Sequence, residues 1–269
     1  TISQLGYMMA GLGIASSITD LGWFASQFHL LSHSIFKALL FLCAGAILHA
    51  LGTRDMRLMG GLKDDMPITF WTCVIGILAL AGVPPLNGFW SKDLLFLAAL
   101  ESELGVHSLV VLGILVITAA ITFAYGLRVI ALTFLGEKSE YAKTHHPHEA
   151  PPVMTIPLIV LAALACVTGF FEKEFEAFMH VHVAHHSAAA PWIPWALTAA
   201  ALLVGGVPAY LVYYARAVSP ESIRKSLAPI HRLLEKGYYF DDFYNAVFVN
   251  GLLSLGENFR KVQVGVLNY

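Results

Sequence analysis

FHLLSHSIFKALLFLCAGAILHALG, residues 28–52, is the stretch that decides how this chain folds. A helix needs about 20 apolar residues to cross a bilayer, and this run is long enough, yet it carries His29, His33 and Lys37, each four residues after the one before. In an α-helix that spacing stacks the three side chains along one narrow stripe. Ionisable groups at membrane depth are costly and tend to face a bundle interior or a water-filled path. Two readings follow. Either the three groups snorkel to an interface or bond to carbonyls, or they line a path for a proton or cation. Histidine, which both donates and accepts, suits such a relay.

The rest of the chain has the same character. Of its 269 residues 57% are hydrophobic and 13% charged, whereas a soluble domain is about 25% charged. The apolar runs have helix length rather than the alternating pattern of a barrel strand of about ten residues. The fold class is therefore all-α, a polytopic helical membrane bundle. A formal net charge of −2 offers nothing to nucleic acid. Cys43, Cys73 and Cys166 lie within apolar runs without CxxC spacing and read as buried thiols, with neither a disulfide framework nor a metal clip. There is no Cys-rich iron–sulfur pattern and no GxGxxG opening a helix, so no cofactor is expected and redox chemistry finds no support.

Six spans can be read along the chain. The first covers about 1–19, and Asp20, Leu21 and Gly22 make a short turn; the second, about 22–52, is the opening stretch, and a polar loop follows over 53–66. The third starts at Pro67, a position that suits a helix start, and runs to about 100 with a break written into it, GVPPLNG at 82–88. Two prolines remove backbone donors and the glycines permit unwinding, which predicts a discontinuous helix. WSKD, residues 90–93, then puts Lys92 and Asp93 at the break. A discontinuous membrane helix is tolerated where it lines a cavity or is buried in protein, and two charges beside it need water or partners. The remaining spans fall at 106–135, 153–171 and 191–217. Trp192 and Trp195 mark one membrane boundary of the last, and Tyr210, Tyr213 and Tyr214 the other.

Loop charge orients the bundle. By parity, Arg54, Arg57, Lys63, Lys138, Lys143, Arg216, Arg224 and Lys225 share one side, and the other side has only Lys173, so the basic side is read as cytoplasmic. The same parity puts His145, His146 and His148 across the membrane from His180, His182, His185 and His186. They cannot form one zinc site, each cluster reads as a solvated loop, and no metal is expected. Residues 1–217 thus form the bundle. In 218–269 apolar residues fall on one helical face (Ile223, Leu227, Ile230, Leu233 and Leu234, then Phe240, Phe243, Tyr244, Val247, Leu252, Leu255, Phe259 and Val262) among too many charges to span. This reads as a C-terminal amphipathic surface helix, lying against lipid or against a neighbouring subunit. VQVGVLNY at 262–269 reads as the approach to a further span, and both ends of the chain as cut.

The run from Phe28 to Trp71, the stretch LALAGVPPLNGFWSKDLL at 78–95 and KGYYFDDFY at 236–244 closely resemble the fifth, L-type membrane chain of respiratory complex I, NADH:quinone oxidoreductase. The resemblance covers essentially the whole chain, with its most specific motifs between residues 28 and 93. It implies a proton-pumping, antiporter-like module related to Mrp sodium/proton antiporter subunits and to membrane-bound hydrogenase subunits. On that resemblance Lys37 with His29 and His33 corresponds to a central relay, Lys92 to the lysine on a broken helix that ends the half-channel, and Asp93 to its neighbour. A lysine rather than a glutamate at position 92 favours the distal, L-type chain. The implied partners are neighbouring antiporter-like and other membrane subunits of the complex, the lipid bilayer, and protons or sodium, in the inner membrane of a bacterial or archaeal cell, with an organellar inner membrane as the alternative. The alternatives are an Mrp-type cation/proton antiporter subunit and a membrane subunit of an energy-converting hydrogenase.

Overall fold

The structure, a computed structural model, describes residues 1–15, 20–181, 183 and 192–264. These form two compact units, 1–216 and 217–269. In the first, α1 (Ile2–Ile14) leads to α2 (Leu21–Leu51), a helix of 31 residues that at 1.5 Å per residue is about 46 Å long. Leu21 and Gly22, expected in a turn, already belong to α2, and Asp20 alone precedes it. The helix stops where Gly52 takes a left-handed φ of 69°, a conformation glycine adopts without steric cost.

The third expected span is two helices, α3 (Pro67–Ala81) and α4 (Asn87–Glu101), of 15 residues each. Beyond them come α5 (Val106–Phe134), a short α6 (Glu140–His145), α7 (Pro152–Val167), α8 (Glu172–Phe178) and α9 (Trp192–Ala209). A single 3-10 turn joins α7 to α8, so the helix continues over residues 172–178, past the expected end of the span at 171. A π-turn extends α9 to Tyr214. Of the described helical stretches, Leu21–Leu51, Val106–Phe134, Pro152–Phe178 and Trp192–Tyr214 are long and apolar enough to cross a membrane, and α3 is apolar but shorter.

The long α2 is the axis of the unit and packs against α1, α3, α4 and α7, while α5 packs against α9, α3 and α4. Around one end of α2, Phe24, Phe28, Leu95, Phe96 and Ala119 interlock. Around the other, Cys43, Leu62, Phe70, Ile77 and Phe134 do the same, and between these groups Phe36 packs with Leu80 and Leu86 at the break. Cys43 and Cys73 are buried thiols, whereas Cys166 is only partly covered because α7 turns that side outward. The outward faces of α5, α7 and α9 are strongly apolar, with Ile117, Ile121, Ile156, Leu203 and Val204 all exposed. In water such a surface would aggregate; in a bilayer it is the matching solvent. The protein is an integral membrane protein.

Two polar loops are pinned to each other. The amides of Gly61 and Lys63 donate to the carbonyls of Leu135 and Phe134 at 3.2 and 3.1 Å, Ser139 donates through its amide to the Met59 carbonyl at 3.2 Å, and Lys138 pairs with Asp65 at 2.6 Å.

In the second unit α10 (Pro220–Ser226) and α11 (Ala228–Glu235) precede α12 (Phe240–Tyr244), which a π-turn joins to α13 (Asn250–Val262). The face bearing Ile223, Leu227, Ile230 and Leu234 is interrupted at Leu227 by a helix boundary, and positive φ at Tyr238 and Tyr239 turns the chain before α12. These apolar residues, and Phe240, Phe243, Leu252 and Phe259 after them, are exposed. Gln263 and Val264 lie in a final helical turn, and the remainder of the expected further span, 265–269, lies outside the described residues.

Candidate functional site: buried titratable groups at a helix break

The last turn of α3 decides where the lysine sits. Gly82 has a φ of 87° and closes the helix with two bonds: its own amide donates to the Ala79 carbonyl at 3.1 Å, and the Val83 amide to that of Leu78 at 2.9 Å. This Schellman pairing satisfies two of the four carbonyls a helix end leaves open. Pro84 and Pro85 have no N–H to offer the others. The Leu80 carbonyl is met by a side chain: Lys92 Nζ, from α4, donates to it at 2.6 Å. Gly88 makes that reach short, because α4 begins so close to α3 that a Cβ at this position would stand 1.8 Å from the Ala79 carbonyl oxygen. Lys92 is 2% exposed, and its amine also lies 5.3 Å from the centre of the Tyr7 ring. Tyr7 in turn donates its hydroxyl to the Leu115 carbonyl, tying α1 to α5.

One residue before Lys92, Ser91 turns toward α2. Its Oγ stands 2.9 Å from His29 Nδ1 and 3.4 Å from the Gly88 carbonyl oxygen. The other imidazole nitrogen, Nε2, is 3.0 Å from Gln4 Oε1 on α1. His29 is completely buried, with Gln4 and Ser91 buried alongside it. Three helices thus meet at one imidazole, and Lys92 is within its electrostatic reach.

The other residues singled out from sequence lie further along or on other faces. His33, one turn beyond His29, is buried with its ring edge-on to Phe36 at 5.5 Å and is within electrostatic reach of Lys37. Lys37 is partly exposed, with its amine 5.1 Å from the centre of the Phe41 ring. Asp93 does not share the pocket of Lys92. Successive helical residues point about 100° apart, and its carboxylate lies beside Trp195 and within reach of Glu172. Asn87, in the first turn of α4, donates through Nδ2 to the Ser32 carbonyl at 3.4 Å and to Thr168 Oγ1 at 3.1 Å, tying the break to α2 and α7.

Gln4, Tyr7 and Ser91 are absent from the sequence-based selection because none carries a charge. Gln4 had a detectable signal, an amide within an apolar run that must find a partner once buried. Glu149 was also missed. Its carboxylate caps α3, accepting from the amides of Ile68 and Thr69 at 2.7 and 3.2 Å and from Thr69 Oγ1 at 2.6 Å. Among the loop histidines, His145 stacks on Tyr141 with ring centres 3.9 Å apart, and His182, His185 and His186 lie outside the described residues. Among the described residues no cluster of three or more His, Cys, Asp or Glu side chains is placed to hold a metal ion.

Fold and buried charge together define a polytopic helical membrane protein with titratable groups inside its bundle. Residues 1–122 match the family profile described as NADH:quinone oxidoreductase/Mrp antiporter, TM. F(420)H(2) dehydrogenase subunit L of Methanosarcina mazei is 36% identical over 99% of this chain and 47% of its own length. NAD(P)H-quinone oxidoreductase chain 5 of Picosynechococcus sp. is 35% identical over 100% of this chain and 45% of its own. The chain therefore spans about half the length of these relatives. A chain in the structure of the Mrp complex from Dietzia sp. DQ12-45-1b superposes with a TM-score of 0.61 and 24% identity over 100% of this chain and 30% of that one, a likeness of fold. Residues 1–122 thus carry the transmembrane region of that profile, and the chain along its whole length is similar to subunit L or chain 5 of these enzymes.

Proposed function

We propose that this chain is a proton-translocating membrane subunit of a complex I-like quinone oxidoreductase. Protons pass among His29, His33, Lys37 and Lys92 with the help of transient water, and Asp93 serves as a separate acceptor on the far face of α4. The observation that carries this reading is the seat of Lys92: a buried amine held at a helix break, in electrostatic reach of an imidazole hydrogen-bonded at both nitrogens. Ionisable groups buried at membrane depth are by default part of an ion path. The chain itself does no redox chemistry in this scheme. A charge change in a neighbouring subunit shifts the lysine and histidine protonation electrostatically. Replacing Lys92 or Lys37 by alanine in the intact complex should lower the number of protons moved per electron, and unchanged stoichiometry in both variants would refute the proposal.

The names of the relatives support this assignment: both are chains of dehydrogenases or quinone oxidoreductases. We assign the chain to a bacterial or archaeal inner membrane with the basic loops cytoplasmic, by the positive-inside rule. Residues 218–269 form the lateral segment, lying on that surface against a neighbouring membrane subunit or lipid. The family profile names the Mrp antiporters as well, and cation/proton antiport is the second reading. Proton movement that requires sodium and persists without an electron donor would favour it.

A further inference from the structure

The two hydrogen bonds to His29 do different jobs. Gln4 Oε1, an amide oxygen, can only accept, so the imidazole nitrogen 3.0 Å from it must carry a proton to make that bond. That nitrogen is Nε2. In a neutral imidazole Nδ1 is then the bare lone pair, and it faces Ser91 Oγ at 2.9 Å. A hydroxyl can donate or accept, so Ser91 donates to Nδ1 here and can turn to the Gly88 carbonyl, 3.4 Å away, if Nδ1 gains a proton. Gln4, His29 and Ser91 are each 0% exposed, so bulk water does not reach these bonds.

We propose that Gln4 and Ser91 are positioning residues that hold His29 in its Nε2–H tautomer, leaving Nδ1 as the proton-accepting atom on the α4 side where Lys92 lies. Gln4 sets the preference: with its amide oxygen turned to the ring and its own Nε2 unpartnered, the imidazole Nε2 is the donor and Nδ1 the atom that accepts a proton. Ser91 is the adaptable element, satisfying Nδ1 in both states without moving the ring. A proton accepted at Nδ1 adds one positive charge to His29 and breaks no bond to Gln4. This rests on the proton-path reading for its purpose, but the tautomer itself does not.

The test is nitrogen NMR on the full complex in lipid, with the subunit's histidines labelled with 15N. The His29 signal is identified by its loss in His29→Asn, and spectra are recorded at mildly alkaline pH. The wild-type protein should show a neutral ring protonated at Nε2 and bare at Nδ1. Gln4→Leu should release the ring into a mixture of tautomers, and Ser91→Ala should shift the Nδ1 signal, with Ser91→Thr restoring it. A ring protonated at Nδ1 in the wild type, or a tautomer indifferent to both Gln4→Leu and Ser91→Ala, overturns the proposal. If Gln4→Leu does not assemble, the Ser91 pair decides alone: an Nδ1 signal unmoved by Ser91→Ala overturns the proposal. Should the tautomer be as stated while proton stoichiometry ignores His29→Asn, the proton-path reading fails and the positioning role stands.

Discussion

Lys92 Nζ and the Leu80 carbonyl oxygen, 2.6 Å apart, join α4 to the end of α3 across the break. The chain between them supplies no backbone donor for that oxygen, because Gly82 and Val83 donate to Ala79 and Leu78 and the next two residues are prolines. One side chain therefore both brings a titratable amine into the bundle and completes a helix terminus. Any change in the state of Lys92 is felt at the break.

Lys92→Met keeps the length and apolar stem of the side chain but leaves the buried Leu80 carbonyl unpaired. An unsatisfied buried acceptor costs about 1–3 kcal/mol. The variant should melt at lower temperature than the wild type in a thermal-shift assay of the purified complex, besides losing pumping. A melting temperature equal to wild type would mean that the carbonyl finds another donor.

His29→Leu preserves volume and removes both ring nitrogens. Gln4 Oε1 loses its donor, again at a cost of about 1–3 kcal/mol, and proton movement per electron should fall. Electron transfer and pumping measured together in membrane vesicles separate the two effects: an assembled, redox-active complex with wild-type stoichiometry would exclude His29 from the path.

Glu149→Ala should destabilise the bundle by about 1–2 kcal/mol, the usual worth of a helix N-cap. The carboxylate satisfies two amides and a hydroxyl at the start of α3 and adds favourable charge at the positive end of that helix. Glu149→Gln retains an acceptor oxygen and should lose less. Both are read by thermal unfolding, and pumping per electron in the assembled variants should stay at the wild-type value.

Gly88→Ala should be the most disruptive of the small substitutions. The added methyl meets a backbone oxygen at 1.8 Å, and backbone cannot swing aside. Overpacking in a well-filled interior costs about 1–3 kcal/mol or more, and here the relief available is to push α4 off α3 and draw Lys92 away from Leu80. Loss of assembled complex on native gels is the expected result. Wild-type assembly would show that α3 and α4 can separate freely.

Composition and periodicity alone determined that this is a helical membrane protein, roughly where its spans lie, and that the chain is interrupted near Pro84. These are local properties: apolar run length, a residue without an N–H, and charges in the wrong solvent. Even so, the apolar run ended the fifth span at 171, whereas residues 172–178 are helical, because a helix can continue past the apolar region on its own hydrogen bonds. What the tertiary structure decided is which polar atoms meet. Residues 92 and 93 are adjacent in the chain yet face different partners, since a helix turns neighbours apart. Residues 4, 29 and 91 are far apart in the chain yet share one imidazole, since α1, α2 and α4 are rotated to bring those faces together. Glu149 reaches Thr69 across 80 positions. Helix rotation and neighbour choice follow from packing the whole bundle, and no window of sequence contains them.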